Sequence, residues 1–548
     1  VASAGIEQVS ISSRVAVAGA PMAAFAEAPV VLRRFAAERD WAGLEALYDR
    51  YWIALAAEYP EELAAAVSEM PVSVLHERPR LLFAALAARQ ALACRNGEQL
   101  YPYLRQYQDI GARLANEFDP ASESSADNLV VFGSAVLTWL RLQGRFAEGE
   151  SLGSRVSDRL AELSPVRGVE PVPRPGWLAL QRALTRTMSG DFPGAAEQYR
   201  VAHEQARTED VAFYAGARAA ANLAMLFAQL GHHGAVHHWL GQLRSYPPLG
   251  PGTRFIVGEG GRIAEGWQAL DRYDRAAVDA VLDEIGDGTR QTELWPFVTA
   301  LSVARALHFG DPVVALESLE TIRLSHDPGV TRQGIAAQVL ERARADLLLA
   351  SGEANRALRV VEDGGAHAPH LLLPAARLRL LSGDYELARA IASRGAARTG
   401  SSRRDARQLL LLKAVATSRM GDRDGAVRAA TSAMRVRPGD EVLSLASLSP
   451  EDRETVLGLV PNALTAEAAG RLAEARPVLP GRVHLVELTA RERAVLTELA
   501  KGGSVPDIAL RLVVSVNTVR TQTQSVYRKL GVSSRGEAVM RASELGLL

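Results

Sequence analysis

Leu381-Ser382-Gly383-Asp384-Tyr385-Glu386-Leu387-Ala388 is the stretch that decides the fold. A Leu/Ala-rich run ends there at a glycine, the residue that takes the left-handed conformation at the end of a helix. Asp384 is a good cap for the next helix, Tyr385 staples the turn, and Ala388 lets the second helix approach the first closely. The same grammar returns at Gly144-Arg145-Phe146, Gly190-Asp191-Phe192, Gly231-His232-His233, Asp271-Arg272-Tyr273, Gly310-Asp311, Gly352 and Gly421-Asp422. The eight turns lie 46, 41, 40, 39, 42, 31 and 38 residues apart. A fixed period of this size marks stacked helical hairpins that bury their apolar faces only against one another.

The hairpins resemble tetratricopeptide-like repeats. Their period of about 40 is similar to that of the sensor segment in large LuxR-type, MalT-like regulators. The resemblance implies an all-α, right-handed superhelical array over residues 30–436, with a concave surface for a ligand or partner. Arg39-Asp40-Trp41-Ala42-Gly43-Leu44 is an earlier hairpin of the same kind. Trp177, Trp239, Trp267 and Trp295 either line that surface or, as large apolar side chains more often do, pack between helices.

Composition agrees with a helical chain. Of 548 residues, 48% are hydrophobic and only 6% aromatic, and 62 basic side chains face 63 acidic ones. A net charge of −1 excludes binding of nucleic acid or acidic membranes through bulk charge, leaving only local patches. Only Lys413, Lys501 and Lys529 are lysines, and none follows a glycine, so there is no Walker A loop. The single cysteine, Cys94, excludes an internal disulfide and reads as a buried apolar residue. No apolar run is long enough to span a bilayer. Val15 to Ala28 lacks a basic start and is broken by Gly19 and Pro21, so residues 1–29 read as a flexible segment rather than a signal.

The repeat fades after residue 436. Ser449-Pro450-Glu451-Asp452 opens a helix, and Pro477 and Pro480-Gly481 belong to a helical linker over residues 437–482. Residues 483–548 are dense in helix punctuation. Thr489-Ala-Arg-Glu492 is a capping box, Ser504-Val-Pro-Asp507 opens a short helix, Ser515 caps a third, and Gly531-Val532 ends it. Ser534-Arg-Gly-Glu537 caps a fourth. In the third helix Val519, Val526 and Leu530 share one side, while Asn517, Thr521, Gln524 and Arg528 lie opposite and Arg520 flanks them. Arg520, Arg528 and Lys529, with no acid, give this helix a charge of +3. A merely solvated face would mix signs.

This region resembles the LuxR-type helix-turn-helix domain. The family pattern runs through Leu488-Thr489-Ala-Arg491-Glu492, Val495-Leu496, Leu499-Ala500, Gly502, Ile508-Ala509, Leu512 and Ser515-Val-Asn517-Thr518-Val519-Arg520. It continues through Lys529-Leu530-Gly531-Val532, Arg535, Ala538 and Gly546-Leu547-Leu548. Val505-Pro506-Asp507 and Gln522 depart from it, where the family often has Asn-Lys-Glu and His. As a recognition helix, the third helix would enter the major groove. Arg520 suits guanine, Asn517 or Gln524 suits adenine or a phosphate, and Thr521 lies on the same face. Arg528 and Lys529 are expected on the backbone, and Ser515 and Thr518 near phosphates at the helix N-terminus. The resemblance also implies pairing through the fourth helix, with Val539 and Ala542 as contacts.

Other candidates are weaker. His233 and His237 are spaced to share a metal, yet no carboxylate cluster supports them, so His232, His233, His237 and His238 read as a partly exposed helix start. Gly258-Glu-Gly260-Gly261 lacks the third glycine of a dinucleotide loop and reads as a loop between repeats. Asp363 to His370 reads as a turn. No catalytic constellation, metal or cofactor is expected. The sequence therefore reads as a cytoplasmic bacterial transcription regulator, not an enzyme and not membrane-bound. Its expected partners are promoter DNA bound as a homodimer, RNA polymerase, and a small-molecule or protein ligand in the repeat groove. The alternative is a peptide or protein receptor that sequesters a partner, with DNA binding secondary. Larger relatives carry a nucleotide-hydrolysing switch before their repeats, so the chain is expected to be either a short regulator or a fragment of a longer one.

Overall fold

The computed structural model describes residues 25–71, 74, 78–96, 111–163, 174–206, 213–247, 257–286, 292–365, 367–398, 402–436 and 439–548. Residues 1–24 of the expected flexible segment, and the side chain of Cys94, lie outside them. Among the described residues there are helices and turns but no strand.

Each of the eight turns joins two helices. The pairs are Ala126–Leu142 with Phe146–Leu163, Trp177–Ser189 with Phe192–Ala206, Phe213–Gln229 with His233–Arg244, and Glu259–Asp271 with Arg275–Ile285. They continue as Trp295–Phe309 with Pro312–Ser325, Gly334–Ala350 with Ala354–Asp363, Leu372–Leu381 with Tyr385–Ala396, and Arg403–Arg419 with Arg423–Arg435. Gly383 and Gly421 both take φ +86°, as a left-handed helix end requires. Asp384, Asp422 and Asp191 accept from the backbone N–H of Leu387, Gly425 and Gly194 at 3.1, 2.8 and 3.0 Å.

Two turns depart from the rule. Gly310 is extended, at φ −113° and ψ −156°, with Asp311 still capping Val313 N at 2.8 Å. In the turn after Asp271 the left-handed residue is Tyr273, and Asp274 caps the next helix. The Gly258–Gly261 stretch is also not a loop between repeats: Glu259, Gly260 and Gly261 form the buried first turn of a helix. A Cβ on Gly260 would lie 2.9 Å from the Ala221 carbonyl, so the glycines let this helix press against Phe213–Gln229. The tryptophans are packing residues: Trp239, Trp267 and Trp295 are buried and Trp177 is partly buried.

The array winds tightly enough for later repeats to meet earlier ones. The helix starting at Arg403 abuts the end of Phe213–Gln229, with Arg403 N donating to the Leu230 carbonyl at 2.9 Å. Arg404, 6% exposed, grips Asp271 through Nε at 2.9 Å and Nη2 at 2.7 Å. Its guanidinium also reaches the Ala228 carbonyl at 3.2 Å and lies over the Trp267 ring at 4.4 Å. His233 bridges Asp271 and Asp440 at 3.7 and 3.9 Å, and Arg407 meets Asp440 at 3.3 Å.

The segment after residue 436 is strapped to the array. Ser449 caps Pro450–Leu459 as expected, and Arg419 holds Asp452 at 3.0 Å. Helices Glu441–Ala446 and Ala466–Ala473 add to the linker. Arg476 then donates to the His308 carbonyl at 3.1 Å, at the unsatisfied C-terminus of a repeat helix. Val478 and Leu479 are buried beside Leu347, Leu378 and Leu381.

Removing one partner of a buried, hydrogen-bonded ion pair costs about 3–5 kcal/mol, because the other charge stays desolvated. Arg404→Ala should therefore destabilise the array by about that amount in chemical denaturation. A loss under about 1 kcal/mol, the range of a surface pair, would show that the winding does not depend on this contact.

Candidate nucleic-acid interface

Residues 483–548 carry nine basic and six acidic side chains, against the slight acidic excess of the whole chain. They form four helices: Ala490–Ala500, Val505–Arg511, Val516–Leu530 and Arg535–Glu544. The first two open with complete capping boxes, at Thr489/Glu492 and Ser504/Asp507. Pro506 sits in the first turn of its helix, where a missing N–H costs little. Val495, Leu499, Ile508, Ala509 and Val519 pack as one core, and Leu496, Val526, Leu530, Ala538 and Ala542 as an adjoining one. Val513 makes the turn between the second and third helices at φ +54°. Gly531, at φ +69°, ends the third helix, and Val532 N donates back to the Tyr527 carbonyl at 3.0 Å.

The third helix presents a polar face. Asn517, Arg520, Thr521, Gln524 and Arg528 are exposed, while Val519, Val526 and Leu530 face the core. Ser515 Oγ accepts from Thr518 N at 3.0 Å and lies 2.8 Å from Thr518 Oγ1. Arg520 has no ion pair among the described residues, and Arg528 has only a long contact to Ser525 Oγ at 3.4 Å. Two cations and three neutral hydrogen-bonding side chains thus share one open surface.

Two expected site residues sit elsewhere. Lys529 Nζ donates to Glu492 Oε2 at 2.6 Å and to the Glu487 carbonyl at 3.0 Å, so its charge is spent inside the domain. The outward charge of this helix is carried by Arg520 and Arg528 alone. Ala542 is fully buried and cannot contribute a surface contact in this arrangement. On that helix Val539 is half-buried, and Met540, 60% exposed, is the large apolar side chain turned outward.

Glu492 and Arg535 matter more than their places in the sequence pattern suggest. Buried Glu492 also accepts from Ser525 Oγ at 2.7 Å and from Thr489 N at 2.7 Å, tying the first helix to the third. Burial alone would raise its carboxyl, but hydrogen bonds from Lys529, Ser525 and Thr489 outweigh it and hold the group at about 2. Arg535 donates to the Leu499 and Gly503 carbonyls, at 3.0 Å and 2.8 Å, closing the end of the first helix. The capping box makes Glu492 visible in the sequence; its pairing with Lys529, 37 positions away, is not.

Residues 486–542 match the family described as bacterial regulatory proteins, luxR family. They form a LuxR-family helix-turn-helix domain. The transcriptional regulatory protein NarL of Mycobacterium tuberculosis is 41% identical over 96 residues, 18% of this chain and 40% of that protein. The HTH-type transcriptional regulator Mb0914c of Mycobacterium bovis is 30% identical over 273 residues, 44% of this chain and 30% of its own length. That match is too long to fit within the LuxR domain. The HTH-type transcriptional regulator MalT of Serratia proteamaculans is 39% identical over 69 residues, 13% of this chain and 8% of that protein. The chain therefore spans well under half the length of these relatives.

The LuxR domain rests against the array. Val483 N donates to the Leu381 carbonyl at 3.1 Å and Val486 N to Asn355 Oδ1 at 3.0 Å. Arg379 pairs with Glu487, and Arg493 with Glu362 at 3.3 Å. These contacts involve the approach to the domain and its first helix; the polar face of the third helix stays open.

A carboxyl held below its unfolded value contributes stability that is complete above about pH 4.5 and is lost as pH falls toward 2, here on the order of 3 kcal/mol. Glu492→Gln should weaken the LuxR domain at neutral pH, read as faster hydrogen exchange of the Val516–Leu530 amides. The gap from wild type should close as pH falls from about 5 to 2. A gap independent of pH would mean that the charge of Glu492 contributes nothing.

Proposed function

We propose that this chain is a sequence-specific DNA-binding regulator of bacterial transcription, whose repeat array receives a ligand or partner and controls promoter binding. The observation that carries this reading is the open face of the third helix, where Asn517, Arg520, Thr521, Gln524 and Arg528 are exposed on a LuxR-family domain. In the major groove Arg520 reads guanine O6/N7, and Asn517 or Gln524 reads adenine. Ser515 and Thr518, at the positive end of the helix, and Arg528, near its other end, bind phosphates.

Lys529 acts differently from Arg528: it positions the helix by anchoring it to Glu492. Two domains pair through the fourth helix around Val539 and Met540, placing two recognition helices about one DNA turn apart. The array acts through its sixth and seventh hairpins, which hold the approach to the domain by way of Asn355, Glu362 and Arg379. A ligand that shifts those repeats changes how the domain is presented.

Two substitutions separate specificity from affinity. Arg520→Ala should flatten base preference at one position per half-site, costing about 1–3 kcal/mol on the preferred sequence and little on random duplex. Arg528→Ala should weaken all duplexes alike and lower the slope of log K against log salt by about 1. If both variants bind every duplex as wild type does, the third helix is not the reading element. Lys529→Ala should show its main effect on domain stability, with the salt slope nearly unchanged. A slope change equal to that of Arg528→Ala would return Lys529 to the phosphate backbone.

A further inference from the structure

Arginines in this array are mostly committed to carboxylates or helix-end carbonyls. Arg342, for example, spans Asp346 and Asp405, and Arg419 spans Glu451 and Asp452. The lysines follow the same habit: Lys501 holds Glu498 at 2.8 Å and Lys529 holds Glu492 at 2.6 Å. Lys413 is the exception. It lines a cavity of about 270 Å³ formed by helices Tyr385–Ala396, Arg403–Arg419 and Arg423–Arg435, together with Arg389 and Arg428. None of these three cations has an ion-pair partner among the described residues.

The one acid on the wall, Asp422, already caps Gly425 N at 2.8 Å. The lining therefore carries a net charge of +2. Arg389 and Arg428 are exposed at the mouth, and Lys413 is half-buried.

A second observation concerns Thr417, which also lines the cavity and is 3% exposed. Its hydroxyl has no hydrogen-bond partner. Buried helical threonines elsewhere in the array donate to the carbonyl four residues back: Thr187 to Ala183 at 2.8 Å and Thr299 to Trp295 at 2.8 Å. Thr417 alone of these three leaves a buried donor unused beside three unpaired cations. Buried polar groups are rarely left so. Leu410 and Ala429 give the cavity an apolar side.

We infer that this cavity binds a small phosphomonoester, its dianionic phosphate on Lys413, Arg428 and Arg389 and its short carbon skeleton against Leu410, with the Thr417 hydroxyl, covered in the free chain, turning to donate to the phosphate. Lys413 supplies a compact, mobile charge with three donors, and the arginines supply planar forks suited to phosphate oxygens. The volume falls just below the usual range for small-molecule sites, too small for a dinucleotide and enough for a phosphorylated triose or pentose. A nucleic-acid backbone would offer the same phosphate chemistry. The concave shape favours a free metabolite, which can enter it, over an extended backbone held at the mouth. This site stands whether or not the C-terminal domain binds DNA.

The test is calorimetric titration of the full chain, at constant ionic strength, with glycerol 3-phosphate, inorganic phosphate and glycerol. The two phosphates should bind one per chain and glycerol should not. Lys413→Gln and Arg428→Gln should each weaken binding about tenfold, the loss of one charge-assisted hydrogen bond. Lys413→Arg should restore part of it, and Thr417→Val should weaken it by a smaller factor, with helix content unchanged in all four. Three results overturn the inference: no phosphate-dependent heat at millimolar probe, equal binding by wild type and Lys413→Gln, or full displacement of the probe by random duplex DNA. The last would assign the patch to nucleic-acid backbone.

Discussion

Arg404 joins two parts of the chain that no local rule brings together. Its guanidinium spans a buried carboxylate, Asp271, and the carbonyl end of the helix Phe213–Gln229, and it is sandwiched on one side by Trp267. A charge so far from water is tolerated only when every donor it presents has somewhere to go. The geometry around it is therefore narrow, and it fixes how one pass of hairpins sits on the next. Arg407 with Asp440, and His233 between the two aspartates, extend the same junction toward the linker.

The placement of the C-terminal domain follows from that winding. With the helix Arg403–Arg419 held against the end of Phe213–Gln229, the chain after residue 436 runs back along the array. Arg476 takes up the carbonyls at the end of Trp295–Phe309, and Val478 and Leu479 fill an apolar seam. The LuxR domain thus leaves the array at Asn355, Glu362 and Arg379 rather than at the end of a loose tether.

Local chemistry was legible in the sequence and distant chemistry was not. All eight turns mark helical hairpins because their signals, a glycine at seven of them and an aspartate cap at several, act over a few positions. Gly310 and Asp271 depart from the rule where long-range contacts fall: the Gly310 carbonyl accepts from Arg476, 166 residues away, and Asp271 serves Arg404, 133 residues away, leaving the left-handed turn to Tyr273. In the LuxR domain the caps and the apolar spacing located every helix. Helical periodicity placed Asn517, Thr521, Gln524 and Arg528 on one open face. It put Lys529 with the outward charges because periodicity knows nothing of Glu492, and it offered Ala542 as a surface contact because a small residue fits either side of a helix.

The proposed DNA-reading element is the helix Val516–Leu530. Selection of bound sites from a random duplex pool, using the full chain, tests it most directly. The expected result is enrichment of an inverted repeat whose half-sites lie about one helical turn apart, with guanine or adenine fixed at the positions facing Arg520 and Asn517. Recovery of a pool with no enriched sequence, bound only through salt-sensitive backbone contacts, would contradict it.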